Sequence, residues 1–311
     1  MAAGWAETVW RESLGLRPGE RALILAEPAL AGAAAELAEA AESCGAGSVA
    51  QVSLPRPRGG LQVVPHGLAG AVASADALVS LRTGLHLEHE DAAMRAARAA
   101  FRLAGRGRWA VLAQVDAETL AVTLGQGLDE VERKAAALAD RMRGATGIRL
   151  TAPGGTDLRL SWEGRPVCAE TGRIRSPGSI GNLPPGEAYV APHETRCDGR
   201  LVVDVALGDI PLDRPVTLTF QRGRVVEVSG GSAAAELCRR LGDDAWAWTI
   251  GEFGLGANPH VVPCGRVALV EKALGTAHVA LGGNRAFGGR NPAPTHYDCV
   301  IAAPEVRFVG A

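Results

Sequence analysis

Four short segments in the second half of the chain carry ionisable side chains of the kinds that bind metal ions. Most of these segments are rich in glycine and proline, and together they hold two glutamates, two histidines and an aspartate. The segments are residues 182–187 (NLPPGE), 251–259 (GEFGLGANP), 274–282 (LGTAHVALG) and 295–298 (THYD). Because loops on a rigid scaffold commonly present binding residues, we expect the chemistry of this chain here.

The last segment places an imidazole next to a carboxylate. If residues 295–302 form a strand, His296 and Asp298 point to the same face, because side chains alternate along a strand. The two would then make a pair of metal ligands. A surface strand with a histidine hydrogen-bonded to its neighbour explains the same residues, so the pair alone leaves both interpretations open.

Three further groups stand in surroundings that do not suit a free charge. His278 lies in an apolar run, Glu252 interrupts another, and Glu187 follows a rigid Pro-Pro-Gly turn. A buried carboxylate is costly unless it is paired or bound to a cation. Singly, each could be a satisfied core residue or part of a surface loop. Together they indicate a site.

The first half of the chain alternates short apolar runs with alanine-rich stretches. We predict strands at residues 20–26, 48–53, 75–81 and 109–115, and helices at residues 29–43 and 90–103. This alternation predicts a parallel, doubly wound sheet. Neither GxGxxG nor GxxxxGK follows these strands, so nucleotide binding has no support in the sequence.

The chain changes character after a predicted helix at residues 128–143. From there strands predominate, at residues 148–150, 157–162 and 201–206 and in a hairpin of residues 216–220 and 224–228, before a helix at residues 232–241. We place a domain boundary near residue 146. The predicted fold class is α/β, with a doubly wound N-terminal domain (residues 1–146) followed by a strand-rich α+β metal-binding domain (residues 147–311).

Charge and composition exclude several classes of partner. A formal net charge of −2 gives no basic surface for nucleic acid, and no apolar run is long enough to cross a bilayer. The N-terminus lacks the features of a signal peptide, and the six cysteines contain no CxxC pair. We therefore expect a cytoplasmic protein with reduced thiols that acts on a small molecule or a peptide.

Other candidate chemistries find less support. No GxSxG is present, which argues against an esterase-type nucleophile. His86 and His89, with Glu88 and Glu90, could form a second metal cluster, but we interpret them as the solvated edge of the helix that follows.

The four segments together resemble the metallopeptidase family of aminopeptidase T and aminopeptidase S. In that family a dinuclear metal site is built from an NLPxxE, an ExGxGxNP, a GTxH and a terminal HxD segment. This chain has all five ligand residues in the same order: Glu187, Glu252, His278, His296 and Asp298. The resemblance covers residue 148 to the end, and the first half only in its α/β character.

This resemblance implies a hydrolase that cleaves an amide or peptide bond with a metal-bound hydroxide. It implies two divalent ions from the zinc, cobalt, manganese or iron group. Glu252 or Glu187 would handle protons as well as bind metal, and Asn258, Glu271 and Lys272 could position the substrate or the ligands. Relatives in this family pair so that subunits enclose the site, so we also expect a homodimer.

One position departs from the peptidases. Arg285 stands where they carry a catalytic tyrosine, shortly after the GTxH histidine. Its guanidinium could stabilise an oxyanion or hold a substrate carboxylate, which makes Arg285 a candidate catalytic residue. The departure also leaves open a relative that binds metal with altered catalysis.

Residues 281–289 (LGGNRAFGG) instead resemble the 2,5-dihydroxypyridine 5,6-dioxygenases, mononuclear iron enzymes that open a pyridine ring. In those enzymes a histidine replaces the glutamate of the second segment, and a serine ligand lies two residues after the place of the third-segment histidine. Here these positions hold Glu252 and Ala280, so only His296 and Asp298 are common to both ligand sets. A mononuclear non-heme iron dioxygenase is therefore the alternative to the hydrolase.

Overall fold

The computed structural model describes residues 4–54, 64–84, 92–262 and 264–310. The chain divides into two compact units, the first comprising Met1–Glu132 and Gly172–Pro185, the second Arg133–Thr171 and Gly186–Ala311. The chain thus passes between the units three times, whereas the boundary expected near residue 146 divides it once. The short return to the first unit occurs because a strand within Gly172–Pro185 joins the sheet of that unit.

Within the described residues, strands and helices alternate in the first part of the chain, and strands predominate in the second. The strands are β1 (Arg21–Ala26), β2 (Ser48–Ser53), β3 (Ala77–Arg82), β4 (Arg108–Ala113), β5 (Gly147–Thr151), β6 (Asp157–Ser161), β7 (Val167–Glu170), β8 (Ile180–Leu183), β9 (Glu187–Val190), β10 (Cys197–Val203), β11 (Ala206–Leu207), β12 (Val216–Gln221), β13 (Arg224–Ser229), β14 (Ile250–Gly256), β15 (Thr276–Gly282), β16 (His296–Ala302) and β17 (Glu305–Val309). The helices are α1 (Trp5–Glu7, continued by a π-helical turn, Thr8–Ser13), α2 (Ala31–Ser43), α3 (Leu68–Ser74), α4 (Ala92–Ala104), α5 (Ala117–Leu124), α6 (Asp129–Arg143), α7 (Gly231–Leu241) and α8 (Val267–Val270).

The first unit is built on a parallel sheet in the order β2-β1-β3-β4-β8. The chain runs from β1 outward to β2 and then returns to place β3 on the other side of β1, as a doubly wound sheet requires. Alanine-rich α2 buries Ala33, Ala34, Leu37 and Ala41, which recur every three or four residues and so form one face of the helix. The predicted parallel α/β architecture of the first half is confirmed.

The second unit contains two antiparallel sheets, in the orders β13-β12-β10-β6-β5-β17 and β11-β16-β15-β14-β9-β7. Apolar side chains from both sheets and from α7 form a shared buried core. Within it, Trp162 stacks on Phe253 of β14 with ring centroids 5.8 Å apart. Because strand side chains alternate, the faces of β14 and β15 that point away from this core are free to carry polar groups.

In the part of the chain that the structure describes, no helix combines the length and the apolarity needed to cross a membrane. His86, Glu88, His89 and Glu90, interpreted above as the solvated edge of a helix, lie outside the described residues. The first residues of that helix, expected at 90–103, lie outside them as well.

Candidate metal centre

The polar face of the sheet formed by β9, β14, β15 and β16 carries the residues singled out from the sequence. Glu252 of β14 and Asp298 of β16 both pair with Ala280 of the intervening strand β15. Residues paired directly across antiparallel strands point to the same face. Glu252, Ala280 and Asp298 therefore lie in one row across the sheet, with the small Ala280 side chain between two carboxylates.

His278 reaches this face because Gly254 has no side chain. The two residues are paired across β14 and β15. A Cβ atom built on Gly254 would stand 2.2 Å from Cε1 and 2.3 Å from Nε2 of His278, so the imidazole lies directly over the glycine. The first glycine of the ExGxGxNP segment, Gly254, is thus explained by the space that the imidazole of His278 occupies.

The five expected ligands form a continuous cluster. Nε2 of His278 lies 3.3 Å from Oε2 of Glu187 and 3.2 Å from Oε1 of Glu252. Nε2 of His296 lies 3.5 Å from Oε2 of Glu252 and 3.2 Å from Oδ1 of Asp298. Glu252 is therefore shared between two imidazoles, and Glu187 and Asp298 stand at opposite ends of the cluster.

A backbone carbonyl holds the imidazole of His296 in place, and a turn fixes the backbone that leads to His278. Nδ1 of His296 donates to the carbonyl of Gly283 at 2.9 Å, which leaves Nε2 directed at the carboxylates. Before His278, Gly275 adopts a left-handed conformation (φ +91°) that favours glycine. Thr276 then donates to the carbonyl of Ala273 at 2.8 Å and fixes the turn that leads into β15. The GTxH segment therefore combines a turn, an anchor and a candidate ligand.

A buried lysine adjoins the cluster. Nζ of Lys272 lies 2.6 Å from Oε1 of Glu187, 2.7 Å from Oε2 of Glu170 and 3.1 Å from Oε1 of Glu271. Burial lowers the pKa of Lys272, but the three carboxylates outweigh burial and hold it well above its usual range. Burial also raises the pKa of Glu271 to about 7. Lys272 is therefore a permanently charged neighbour of the candidate ligands.

Burial and mutual charge set the ionisation of the cluster itself. Burial lowers the pKa of both imidazoles, but Glu252 and Glu187 raise the pKa of His278 to about 10, and Asp298 and Glu252 raise the pKa of His296 to about 10. Burial raises the pKa of Asp298, yet His296 outweighs it and holds the pKa of that carboxyl well below its usual range. Each imidazole thus keeps a proton at neutral pH unless a cation replaces it.

The cluster fits divalent metal ions in chemistry and in spacing. Glu187, Glu252 and His278 are buried, and each offers a ligand atom within 4.8 Å of the other two. Oε2 of Glu187 is buried and forms no hydrogen bond within the described part of the chain. Two ligand atoms that each lie about 2.1 Å from a metal ion, at tetrahedral or octahedral angles, are about 3.0 to 3.4 Å apart. The imidazole–carboxylate distances are close to this range.

Comparison with known proteins agrees with both resemblances seen in the sequence. The model of the family described as 2,5-dihydroxypyridine 5,6-dioxygenase (NicX) matches residues 6–308. The chain belongs to this family. Among curated proteins, none matches it.

Two solved structures share the fold of this dioxygenase-family chain. The 2,5-dihydroxypyridine dioxygenase from Pseudomonas putida KT2440 has a TM-score of 0.77 at 19% sequence identity, covering 98% of this chain and 92% of that chain. Wild-type AmpT from Thermus thermophilus has a TM-score of 0.72 at 22% identity, covering 98% of this chain and 94% of that chain. At such low identity these likenesses concern the fold.

This member of the dioxygenase family departs from the ligand set that the sequence resemblance implies for those enzymes. Ala280, at the position of the implied serine ligand, is fully buried between Glu252 and Asp298 and offers a methyl group. Glu252 itself stands where the implied set has a histidine. The ligand set of the dioxygenases is therefore not reproduced in this chain.

Arg285, the expected substitute for the peptidase tyrosine, lies apart from the five. It is exposed on a 3-10 turn, Arg285–Phe287, where its Nε donates to the carbonyl of Arg290 at 3.4 Å. Within the described residues no hydrogen bond or ion pair joins Arg285 to the cluster. Its predicted catalytic role stays a prediction.

Several residues of the site were missed in the sequence. Glu170 reaches Lys272 because β7 pairs with β9, which places Glu170 directly opposite Glu187. The ring of Phe287 lies edge-on to Tyr189 of β9 at 5.5 Å and to His296 at 6.2 Å. Phe287 lies within residues 281–289, quoted above for their resemblance to the dioxygenases, but that segment gave it no role. No local motif marks Glu170, because only the pairing of distant strands brings it to the cluster.

Proposed function

We propose that this protein is a metal-dependent hydrolase that cleaves an amide or peptide bond with two divalent metal ions. The observation that carries the proposal is the orientation of Glu252, whose Oε1 faces His278 and whose Oε2 faces His296. A carboxylate that directs one oxygen to each of two imidazoles is arranged to bridge two ions. Glu187 on one side and Asp298 on the other would supply a further ligand for each ion.

The charge of the cluster supports the same number of ions. Its carboxylates are Glu170, Glu187, Glu252, Glu271 and Asp298, and Lys272 is its fixed cation. With both imidazoles neutral, as metal ligands must be, and all five carboxylates ionised, four negative charges remain. Two divalent ions balance them, whereas a single ion would leave a buried excess of negative charge, which is costly.

The chain's own residues would bind the ions, orient the substrate and move the proton. When bound, the ions supply Lewis-acid polarisation of a carbonyl and lower the pKa of water enough to give a nucleophile near neutral pH. Glu187 or Glu252, the two carboxylates that face His278, would accept the proton of the attacking water. Arg285, exposed on its turn, is suited to grip a carboxylate on the substrate.

A second candidate is a mononuclear iron dioxygenase that opens a dihydroxypyridine ring, which family membership favours. Ala280 and Glu252 weigh against it, because neither is the ligand type that the resemblance implies there. Likeness of fold and family does not fix the chemistry at a site. A relative that binds metal with altered catalysis is the third possibility that Arg285 keeps open.

Metal content and substrate turnover test the proposal together. Protein reconstituted with zinc, cobalt, manganese or iron should bind two ions per chain, and Glu252→Gln, which removes the shared carboxylate charge, should lower that number. A stoichiometry of one that Glu187→Gln leaves unchanged would contradict the dinuclear site. The metal-loaded enzyme should release free amine from N-acyl amino acids or peptides that carry a carboxylate near the scissile bond.

The same preparations separate the alternatives. Oxygen consumption with 2,5-dihydroxypyridine by the iron-loaded enzyme, with no amide hydrolysis, would transfer the assignment to the dioxygenase. Two bound ions without either activity would leave the metal-binding relative.

A further inference from the structure

Lys272 is the buried residue at the centre that neither metal binding nor proton transfer uses directly. We propose that Lys272 is a positioning residue: its ammonium holds Oε1 of Glu187, so that Glu187 offers Oε2 alone to a metal ion. The inference rests on the proposed metal centre but not on the reaction that the centre catalyses.

The backbone of Lys272 is fixed before its side chain begins. Its amide donates to the carbonyl of Leu269 at 3.0 Å, which ties it to α8. Its carbonyl accepts from the amides of Ala257 at 3.0 Å and Asn258 at 2.8 Å, just beyond the end of β14. The lysine is thereby anchored to the strand that carries Glu252 and Gly254.

Three carboxylates surround the ammonium of Lys272. An ammonium has three N–H donors, and three carboxylate oxygens, from Glu170, Glu187 and Glu271, lie 2.6 to 3.1 Å from Nζ. The side chain of Lys272 is 2% exposed, so water does not compete for these contacts. A buried ammonium enclosed by three carboxylates holds its partners in one geometry.

The two glutamates nearest His278 are consequently presented in different ways. Oε1 of Glu187 is engaged by Lys272 at 2.6 Å, and Oε2 faces the imidazole at 3.3 Å. Glu252 has one oxygen facing each imidazole. Glu187 is therefore set to bind one ion through one oxygen, and Glu252 is set to be shared.

A lysine is better suited than an arginine to contact three carboxylates at position 272. The chain has 32 basic residues, of which only Lys134 and Lys272 are lysines. Arginine presents its donors in a flat fork that matches one or two carboxylates edge-on, whereas a compact ammonium can donate to three carboxylates arranged around it. In a chain that otherwise uses arginine, the position between Glu170, Glu187 and Glu271 holds a lysine.

Titration of the metal-free protein with Co²⁺, followed by calorimetry and by the cobalt absorption bands, tests the proposal without any substrate. In Lys272→Met, one of the two ions should bind about 10- to 100-fold more weakly, the usual cost of removing a residue that orients a ligand. The weakened ion should be the one that Glu187→Gln also loses. Lys134→Met, a lysine on α6 outside the cluster, is the matched control and should titrate like the unmodified protein.

A role of Lys272 as a nearby positive charge and a role in positioning Glu187 predict different outcomes. If Lys272 acted only as a nearby charge, its removal would strengthen the binding of both cations, and Lys272→Arg would restore the original affinities. If Lys272 positions Glu187, Lys272→Arg should also weaken the same ion, because the guanidinium cannot make the three contacts. Unchanged affinities, or an equal change for both ions, would overturn the proposal.

The role of Lys272 can be decided even if the proposed dinuclear function is wrong or if one variant does not fold. If the unmodified protein binds a single ion, the dinuclear function fails, and the effect of Lys272→Met on that ion still decides the role of Lys272. If Lys272→Met does not fold, Glu170→Gln decides, because it loosens the lysine without touching an expected ligand. It should weaken the ion at Glu187, and an unchanged titration would reject the proposal.

Discussion

His278 and His296 show how single residues prepare the cluster for cations. Each presents Nε2 to two carboxylate oxygens between 3.2 and 3.5 Å away. For His296 the other ring nitrogen is committed to the carbonyl of Gly283. Because Nδ1 of His296 is held by a hydrogen bond, its Nε2 is already oriented toward the carboxylates. This pre-organisation would reduce the entropic cost of ordering the imidazole when a metal ion binds.

Arg285 gives a prediction about substrate choice. Arginine can donate to an oxyanion but stays protonated at working pH, so it cannot replace the proton exchange of a tyrosine. We expect the unmodified enzyme to turn over simple amino-acid arylamides weakly, and Arg285→Tyr to raise that rate in a chromogenic assay. Arg285→Ala should raise the KM of a carboxylate-bearing substrate about tenfold or more, as the loss of a charged hydrogen bond implies.

The control for Arg285 is metal binding, which should be the same in all three proteins because the residue lies apart from the cluster. Strong arylamide cleavage by the unmodified enzyme, lowered by Arg285→Tyr, would mean that Arg285 does not stand in for the tyrosine.

At the scale of elements, β14 is the strand on which the centre depends. It presents Glu252 and Gly254 to the polar face, while Phe253 and Leu255 point into the core shared by the two antiparallel sheets. The strand has to be buried on both faces, yet it carries a carboxylate and a position without a side chain. Burial on both faces explains why the sequence of β14 is apolar. The place of Glu252 and the space needed by His278 explain its single charge and its glycine at position 254.

Gly254→Ala tests that role of β14. The added methyl group would meet the imidazole of His278 at 2.2 Å and has to displace it, because a contact under 3 Å cannot be kept. We expect the ion next to His278 to bind at least tenfold more weakly in a Co²⁺ titration, and stability to fall by about 1 to 3 kcal/mol, as overpacking costs. Gly265→Ala is the control, since a Cβ there meets nothing within 4 Å. Unchanged cobalt affinity in Gly254→Ala would show that His278 is not a ligand.

The sequence predicts elements well where local pattern decides them. Residues 48–53 and 224–228, and the helix ending at Arg143, match β2, β13 and α6 closely. The short edge strand β7 and strand β9 carry no period of their own, and their pairing alone brings Glu170 to Glu187. The five candidate ligands could be named from the sequence because a known family has such residues in the same order. The resemblance suggested Lys272 only as a residue that could position the substrate or the ligands. Its contacts with Glu170 and Glu187 join distant segments, which no local pattern records.

At the scale of the whole molecule, the expected homodimer stays a prediction. It rests on the resemblance to peptidases whose subunits enclose the site, because the glycine-rich segments would otherwise leave the site open. Light scattering on the metal-loaded protein should give twice the chain mass of 32.1 kDa over a wide range of concentrations. A mass equal to one chain throughout that range would reject the dimer.

The stability of the whole chain should depend on pH in a way that reports the metal centre. Without metal, the folded protein holds protons that the unfolded chain releases: the pKa is about 10 for His278 and His296 and about 7 for Glu271. A group whose pKa is higher in the folded state favours folding below its unfolded pKa, and this contribution is lost as pH rises through the folded pKa. All three groups act in the same direction.

We therefore expect the metal-free protein to lose stability steadily between about pH 6.5, where unfolded histidine titrates, and about pH 10. Divalent ions replace the protons on the imidazoles, and because binding then releases those protons, metal affinity should rise over the same interval. Urea denaturation of chelator-treated and metal-loaded protein, at several pH values in this window, measures both effects. The gap in stability between the two forms should widen as pH rises, since ions that bind only the folded chain stabilise it in proportion to the logarithm of their affinity. A metal-free protein that becomes more stable toward pH 10 would mean that the two imidazoles are not charged partners of these carboxylates, and the metal centre would lose its main electrostatic support.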